Sequence, residues 1–432
     1  MYRPHLMTSH RRPALAVLLG LAALATACQS SAPEPAPQPS SAVVYEGARL
    51  IDGNGGPAIE NATFVVDAGR FAAVGAADEV TAPAGAARVS LAGKTVIPAL
   101  IDTHTHPSTT RETLVEQLQA KAYYGVSAIL SMGLDSGTVA FEVRNESIPG
   151  AARLRTAGRG ITSPEPGRTE VPYWVTTEAE ARKAVQELAA QKVDIVKIWV
   201  DDRDGKYTKL SPELYGAVID EAHTHGLRVS AHIFALEDAK GLLKAGVDVF
   251  AHGVRDRDVD DEFIEMIKAR PQVVLIPNMG DRGVATDLGW LAGSVPAAEF
   301  EKLQAGATDR PAAQQAFGIQ ARNLAKLSAA GMTIAMGTDG FSPWSQHVEM
   351  ADMVASGMTP AQVIVAATKH SAALLQLADT GTVEAGKRAD FVVLDANPLD
   401  DITNTRQMSA VYLAGMAVDR TQLRARWMGS TP

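Results

Sequence analysis

Several apolar segments of the sequence end on residues whose side chains can bind a metal ion. The segment VIPALID runs into Thr103-His104-Thr105-His106, where a single residue separates two histidines. Side chains two residues apart in an extended chain project to the same side. One metal ion could therefore accept a nitrogen atom from both His104 and His106.

Two further histidines and one aspartate occupy the same kind of position. LRVSA ends at His232, VDVFA ends at His252, and TIAMGT ends at Asp339. Such a histidine can instead be a hydrogen-bonded core residue, and such an aspartate can cap the following helix. The repeated arrangement favours a shared role, with four imidazoles and one carboxylate around one metal centre.

Lys197 lies inside the apolar segment DIVKIWV, where burial disfavours a charged amine. One interpretation is a buried ion pair with Asp201, Asp202 or Glu221. The other, which we favour, is a neutral amine that captures carbon dioxide as a carbamate bridging two metal ions. The second His-x-His, at His223 and His225, follows a helical stretch and precedes Gly226, so we predict a structural role at a helix C-terminus.

The segments that carry these residues predict an α/β fold. Between about 95 and 377 the chain alternates apolar strands with helical stretches, the pattern of βα units. The candidate strands match the number in a TIM-like (β/α)8 barrel, whose active sites lie where the C-terminal strand ends meet. They are VIPALID, VSAIL, RLRTA, DIVKIWV, LRVSAH, VDVFAH, QVVLIP and TIAMGTD. An open doubly wound sheet is the alternative, but no strand is followed by Gly-x-Gly-x-x-Gly or a P-loop.

Both flanks of the barrel segment have short alternating strands and turn residues, which indicate antiparallel hairpins. We therefore predict a small β-sandwich built from both chain ends, residues 43–94 and 381–432, around a metal-binding barrel over 95–380. The composition, with 46% hydrophobic and 21% charged residues, excludes wholesale disorder. A net charge of −9 argues against a nucleic-acid partner.

The first residues have the pattern of an export signal. Arg3, Arg11 and Arg12 precede the apolar run Ala14–Leu24, and the lone cysteine, Cys28, follows small residues as in a bacterial lipobox. We predict a lipoprotein-type signal peptide over 1–27 and a Pro/Ser-rich tether over 28–42. Cys28 would then carry a lipid anchor, the one membrane contact of an exported bacterial lipoprotein, periplasmic or tethered to the outer membrane. The alternative is simple cleavage with Cys28 as a passenger.

Taken together, the motifs resemble the amidohydrolase superfamily of metal-dependent barrel hydrolases. The placement of the lysine resembles the binuclear branch that includes Xaa-Pro dipeptidases and ochratoxin-cleaving amidases. The loop after it, Trp199–Asp204, is more acidic than that branch leads us to expect. The resemblance spans roughly residues 43–419 and is carried by Ile101–His106, Lys197, His232, His252, Gly337–Gly340 and the tail segment Gly381–Asp395.

The resemblance implies two divalent metal ions, expected to be Zn²⁺. His104, His106 and Asp339 would hold one ion, and His232 and His252 the other. Carbamylated Lys197 and a hydroxide would bridge the two ions. The hydroxide would attack a polarised carbonyl, and Asp339 would move a proton from it to the leaving amine.

Residues for the substrate are assigned by their position near strand ends. Tyr207 could donate to the developing oxyanion, and His347 could line the pocket. Arg155, Arg159 or Arg255 could clamp a substrate carboxylate. Part of the segment 280–330, which contains Trp290, is expected to form a lid.

These assignments predict an enzyme that cleaves amide or peptide bonds of small molecules, such as dipeptides or N-acyl amino acids. The alternatives are a lactone, carbamate or cyclic-amidine hydrolase with the same metal site, or a tethered binding module without activity. The substrate is thus a small molecule, and the resemblance implies assembly into a homo-oligomer.

Overall fold

The computed structural model describes residues 41–279 and 281–429. The predicted signal peptide and nearly all of the predicted tether lie outside these ranges. None of the helices within the described ranges is both long and apolar enough to cross a bilayer. The limits of the sandwich and barrel segments stay predictions.

The strands are short, and most of those between 100 and 334 are fully buried. In chain order they are β1 Val43–Leu50, β2 Ile59–Asp67, β3 Arg70–Ala76, β4 Ala87–Ser90, β5 Thr95–Pro98, β6 Leu100–Thr105, β7 Val126–Ser131, β8 Arg153–Thr156, β9 Ile161–Thr162, β10 Tyr173–Trp174, β11 Val196–Trp199, β12 Val229–His232, β13 Val249–Ala251, β14 Val274–Ile276, β15 Thr333–Ile334, β16 Phe391–Leu394, β17 Met408–Leu413 and β18 Met416–Ala417.

The helices mostly follow these strands one by one. They are α1 Arg111–Tyr123, α2 Val139–Val143, α3 Glu178–Ala190, α4 Pro212–Thr224, α5 Leu236–Ala245, α6 Asp261–Lys268, α7 Ala297–Gly306, α8 Pro311–Ala329, α9 Ser345–Ala355, α10 Pro360–Val365, α11 Ser371–Leu374 and α12 Arg420–Gly429. Short 3₁₀ turns cover Gly289–Leu291 and Ile402–Arg406, and a π-helical turn covers Ala366–His370.

The parallel strands of the central segment follow one another as a TIM-like barrel requires. β6, β7 and β8 pair in one sheet, and β11 to β15 pair in sequence in another. Asp194 N donates to Thr156 O at 2.9 Å, which joins the two sheets between β8 and β11. Thr103 N donates to Met336 O at 3.0 Å, which joins β6 to the chain that follows β15. These hydrogen bonds link the eight predicted strands into a ring.

The first predicted strand is divided between two sheets. Val96 and Ile97 lie in β5, which pairs antiparallel with β16, whereas Leu100 opens β6 and pairs with β7. Pro98 lies at the end of β5 and has no N–H with which to continue a ladder. The chain therefore changes sheets at Ala99, and the barrel strand begins later than predicted.

The strands of both chain ends pair in one mixed sheet. Its order is β18-β17-β16-β5-β1-β2-β3, with β4 pairing to β1. Aromatic rings fill its buried side, and the Tyr45 and Phe64 rings stack at 5.0 Å. This aromatic cluster consists of Tyr45, Phe64, Phe71, Phe391 and Tyr412. Joint use of both ends is thus observed, while an arrangement of two packed layers stays a prediction.

Candidate active site

The first His-x-His and the aspartate meet where β6 and the chain after β15 lie side by side. Asp339 Oδ1 lies 3.1 Å from His104 Nε2 and 3.0 Å from His106 Nε2. The possible ligand atoms of these three residues all lie within 4.8 Å of one another. Asp339 is the most open of the three, with its side chain 36% exposed. The group can hold one metal ion and leave the carboxylate accessible to a substrate.

His252 and His232 extend this group along the strand ends. His252 Nε2 lies 3.5 Å from Asp339 Oδ2, and the rings of His232 and His252 are 4.5 Å apart. We use the name ligand cluster for the whole set of predicted ligands, to which the next residue also belongs. Its members are His104, His106, Lys197, His232, His252 and Asp339.

Lys197 is fully buried in β11, and within the described chain its Nζ has no hydrogen-bond partner. The ion pair considered as an alternative is not the arrangement found, because Asp201 contacts Arg203 and His232. Glu221 contacts Arg182 on the neighbouring helix. A buried amine without a partner is costly, which favours either its neutral form or a chemical modification.

The electrostatics of the ligand cluster favour uncharged nitrogen ligands. Burial, followed by the charge of Lys197, lowers the pKa of His104 to about 4. Burial also lowers the pKa of His232 and His252 well below the usual value, and it lowers the pKa of Lys197 to about 7. Burial alone would raise the pKa of Asp339, but the neighbouring histidines outweigh it and hold that pKa below its usual range. Neutral imidazoles and a carboxylate are the forms that bind metal.

One residue that supports the ligand cluster, Asn278, was not predicted from the sequence. Asn278 Oδ1 lies 2.9 Å from His104 Nδ1 and so orients the ring with Nε2 towards Asp339. Asn278 follows β14 in the way that the histidines follow their strands, which was the available signal. The backbones of His252, Asn278 and Asp339 have φ values of 96°, 45° and 51°, in the left-handed region. Strain of this kind at three strand ends is typical of functional sites.

A glycine makes room for the buried lysine. Gly133, which follows β7, has φ of 95°, and a Cβ there would lie 2.7 Å from the Trp199 ring and 2.9 Å from Lys197 Cγ. Both the backbone conformation and the close approach therefore require glycine.

The acidic loop after β11 contains one arginine, which pairs with the first of its three aspartates. Asp201 Oδ2 accepts from Arg203 Nη1 at 2.7 Å and lies 2.9 Å from His232 Nε2. Arg203 also forms a salt bridge with the buried Glu165 at 3.2 Å. Asp201 thus contacts the ligand cluster, a contact that the sequence did not predict.

Among the residues predicted to bind substrate, Arg255 lies at the ligand cluster. Its guanidinium donates to Ile233 O at 2.9 Å, and its charge acts on Lys197 and His232. Burial lowers the pKa of Arg255 despite the opposing charges of Asp201 and Asp339.

The other predicted substrate contacts have structural partners instead. Arg155 lies 3.4 Å from Asp194, and Arg159 lies over the Tyr173 ring at 4.0 Å and donates to Val171 O. Tyr207 donates to Pro166 O at 3.2 Å.

His347 is buried, with Nε2 3.0 Å from Tyr124 O and Nδ1 3.1 Å from Thr405 Oγ1. This geometry gives His347 a packing role rather than a place in the pocket.

Part of the expected lid borders a cavity beside Asp339. A cavity of about 350 Å³ is lined by Thr338 and by residues after β14, including Trp290. Its polar lining includes Arg282, Glu349, Asp352 and Arg406. Helices α7 and α8 occupy most of the remaining segment.

The second His-x-His lies away from the ligand cluster. His223 and His225 are at the C-terminal end of α4, where they contact Asp248 and Glu221 as structural residues.

Comparison with known proteins places this site in a family. The model of the amidohydrolase family matches residues 95–418. Imidazolonepropionase of Deinococcus radiodurans is 27% identical over 83% of this chain and 92% of its own length. Ochratoxinase of Aspergillus niger is 26% identical over 66% of this chain and 62% of its own length.

Solved structures of other proteins are also similar to this chain. A protein assigned as a prolidase from Bifidobacterium longum is 28% identical and has a TM-score of 0.73 over 89% of this chain and 98% of its own. Phenylurea hydrolase B, at 22% identity, has the same fold, with a TM-score of 0.73 over 91% of this chain and 99% of its own. The resemblance stated from the motifs is confirmed. The chain therefore belongs to the amidohydrolase family and is a hydrolase of amide or related C–N bonds.

Proposed function

We propose that the protein is a binuclear zinc amidohydrolase that cleaves amide or peptide bonds of small substrates with a free carboxylate, such as dipeptides or N-acyl amino acids. The observation that carries the proposal is Lys197, fully buried beside the histidines with no hydrogen-bond partner for Nζ in the described ranges. Reaction of this amine with carbon dioxide would give a carbamate, whose oxygen atoms could bind metal ions. That role would explain why a lysine is buried here.

The donor set fits two ions. His104, His106 and Asp339 would hold one, His232 and His252 the other, and Lys197 as a carbamate would join them. His104 Nε2 is buried and directed at Asp339 Oδ1, 3.1 Å away, as expected of two atoms that bind the same ion. Divalent ions bound here would lower the pKa of a water molecule and polarise the scissile carbonyl.

The chain's own residues complete the reaction. Asp339 is a carboxylate at the accessible edge of the ligand cluster, so it can take up a proton from water and deliver it to the leaving nitrogen. Arg255 supplies a buried positive charge within reach of the same space and would bind the substrate carboxylate.

The names of the relatives leave the bond type open within C–N hydrolysis. The similar proteins include a dipeptidase-like structure, an ochratoxinase and an imidazolonepropionase. Carbamates and cyclic amidines are alternative substrates with C–N bonds, and lactones, in which the scissile bond is C–O, are an alternative outside C–N hydrolysis for the same site. We disfavour a binding module without activity, because every predicted ligand is present in the sequence, and the side chains of His104, His106 and Asp339 lie close enough together to bind one ion.

We further propose that the protein is exported and held at a membrane by lipidated Cys28, with no nucleic-acid partner, and that it assembles as a homo-oligomer. The sequence of residues 1–42 supports the first part. Labelling of the expressed chain with a radioactive fatty acid, with Cys28→Ser as control, would test it.

The proposed function is tested by metal analysis and substrate turnover together. Protein purified after growth with Zn²⁺ and bicarbonate should contain two ions per chain and hydrolyse members of a dipeptide and N-acyl amino acid panel. His104→Ala should lose both, while His223→Ala, from the structural His-x-His, should keep both. Less than one ion per chain would refute the binuclear site. Turnover confined to a parallel lactone panel would refute the amide assignment.

A further inference from the structure

A buried ion pair lies behind the ligand cluster. Lys121 of α1 and Asp102 of β6 are both 0% exposed, and Lys121 Nζ donates to Asp102 Oδ2 at 2.8 Å. Burial of two charges costs free energy that their attraction only partly offsets, so such a pair is weak evidence for stability. Its contacts therefore call for another explanation.

Asp102 accepts hydrogen bonds from both sides of the proposed metal site. Its Oδ1 accepts from the backbone N–H of Thr338 at 3.1 Å and of His104 at 3.3 Å. Its Oδ2 accepts from the Thr338 hydroxyl at 2.8 Å in addition to Lys121. One carboxylate thus ties the backbone of His104 to the residue immediately before Asp339.

Lys121 holds the chain on the other side of Asp339. Besides Asp102, its Nζ donates to Ser342 O and Ser345 Oγ at 3.3 Å and to Gln346 Oε1 at 3.4 Å. Asp339 therefore lies between a segment fixed by Asp102 and a segment fixed by Lys121. Its own backbone has φ of 51°, a conformation that persists only when the surroundings impose it.

We propose that Lys121 and Asp102 act as a positioning pair that holds His104 and Asp339 at the separation needed to share one metal ion. Neither residue contacts the ion or the substrate in this role. The inference rests on the metal site proposed above and adds to it a requirement for a specific outer support. Outer partners of metal ligands can matter nearly as much as the ligands themselves.

The structure offers a matched control. Lys240 of α5 is also buried, 5% exposed, and its Nζ lies 2.6 Å from both Asp260 and Glu262, away from the ligand cluster. Lys121→Met and Lys240→Met each remove a paired ammonium from a buried lysine, although the carboxylates that pair with Lys240 are 48% and 61% exposed. A purely structural role predicts a loss of stability without a specific loss of zinc affinity in either variant.

The test measures metal affinity of the metal-free protein by competition with a chromophoric zinc chelator, together with kcat, KM and the thermal unfolding midpoint. Lys121→Met should weaken zinc binding by about 10- to 100-fold and lower kcat with little change in KM, the range typical of lost outer support. Lys240→Met should lower the unfolding midpoint and retain the zinc affinity. Equal zinc affinities for Lys121→Met and the wild type, or equal losses in both variants, would overturn the proposal.

A second variant covers the case in which Lys121→Met does not fold. Asp102→Asn combined with Lys121→Met removes both charges and so avoids an unpaired buried carboxylate. The asparagine oxygen can keep the contacts of Oδ1, but its amide nitrogen cannot accept from the Thr338 hydroxyl, and no ammonium is left to hold Ser342 and Ser345. We expect a folded protein with zinc binding still weakened, and wild-type affinity would overturn the proposal. A wild-type protein that binds no zinc would instead refute the proposed function, and this inference with it.

Discussion

The aromatic cluster of the mixed sheet and the ligand cluster of the barrel are both mostly buried, yet they are built from opposite kinds of side chain. In the sheet, apolar rings stack on one another, as with Phe391 and Tyr412 at 4.4 Å. In the barrel, imidazoles and a carboxylate lie together with the amine of Lys197, which has no hydrogen-bond partner in the described ranges. Three strand ends there also adopt left-handed backbone conformations.

The difference separates what holds the protein together from what it does. Burial of rings stabilises the fold by removing apolar surface from water. Burial of amines and imidazoles opposes folding unless a ligand compensates for it. Departures from the rules of stable packing are therefore informative, because they are expected where a protein must bind or react. If the two clusters are independent, substitutions in the ligand cluster should change activity, and substitutions in the aromatic cluster should change stability.

The largest effect is expected from Lys197→Ala. Activity should fall by well over 100-fold, because loss of merely an outer partner of a metal ligand costs about 10- to 100-fold. A short carboxylic acid such as propionate should restore part of the activity by replacing the carbamate oxygens. Steady-state rates with and without the acid measure both effects. Full activity of the variant without added acid would show that Lys197 is not a bridging ligand.

Phe391→Ala should produce the converse result. Removal of this fully buried ring should lower the free energy of unfolding by about 3 to 5 kcal/mol. Zinc content and kcat per folded molecule should be unchanged, since the ring lies in the sheet. Denaturant titration and metal analysis measure the two. Met416→Ala, in the same sheet but at a side chain 63% exposed, should leave stability nearly unchanged. A loss of zinc from folded Phe391→Ala would show that the two clusters are not independent.

The smallest effect concerns pH. Burial lowers the pKa of Lys197 to about 7, and only the neutral amine, present above that pKa, reacts with carbon dioxide. At constant dissolved carbon dioxide, carbamate formation by metal-free protein should be about tenfold faster at pH 8 than at pH 6 and nearly constant above pH 8. Carbon-13 NMR with labelled carbon dioxide measures it. A lysine with the ordinary pKa would instead continue to gain about tenfold per pH unit through pH 9.

Most members of the ligand cluster could be proposed from the sequence because they end apolar strands, and a parallel barrel brings such ends to one face. Lys197 instead lies inside its strand. Asn278 also follows an apolar strand, QVVLIP. It has no second candidate ligand two residues away, as His104 has in His106. Lys121 was out of reach, since its contact with Asp102 arises only when α1 packs behind β6. The assignment of Arg155 to the substrate stays a prediction; residues alternate along β8, and its side chain lies 3.4 Å from Asp194.

The change of sheets at Ala99 has a consequence for how the molecule is built. The strand that leads into His104 pairs in its first half with β16, where Ile97 lies opposite Val392. On the ribosome, β16 emerges long after β5, and closure of such a long loop slows folding. One edge of β5 pairs with β1, which is made earlier, but its other edge is completed only when β16 has been made. Assembly of the ligand cluster is thereby tied to completion of the chain.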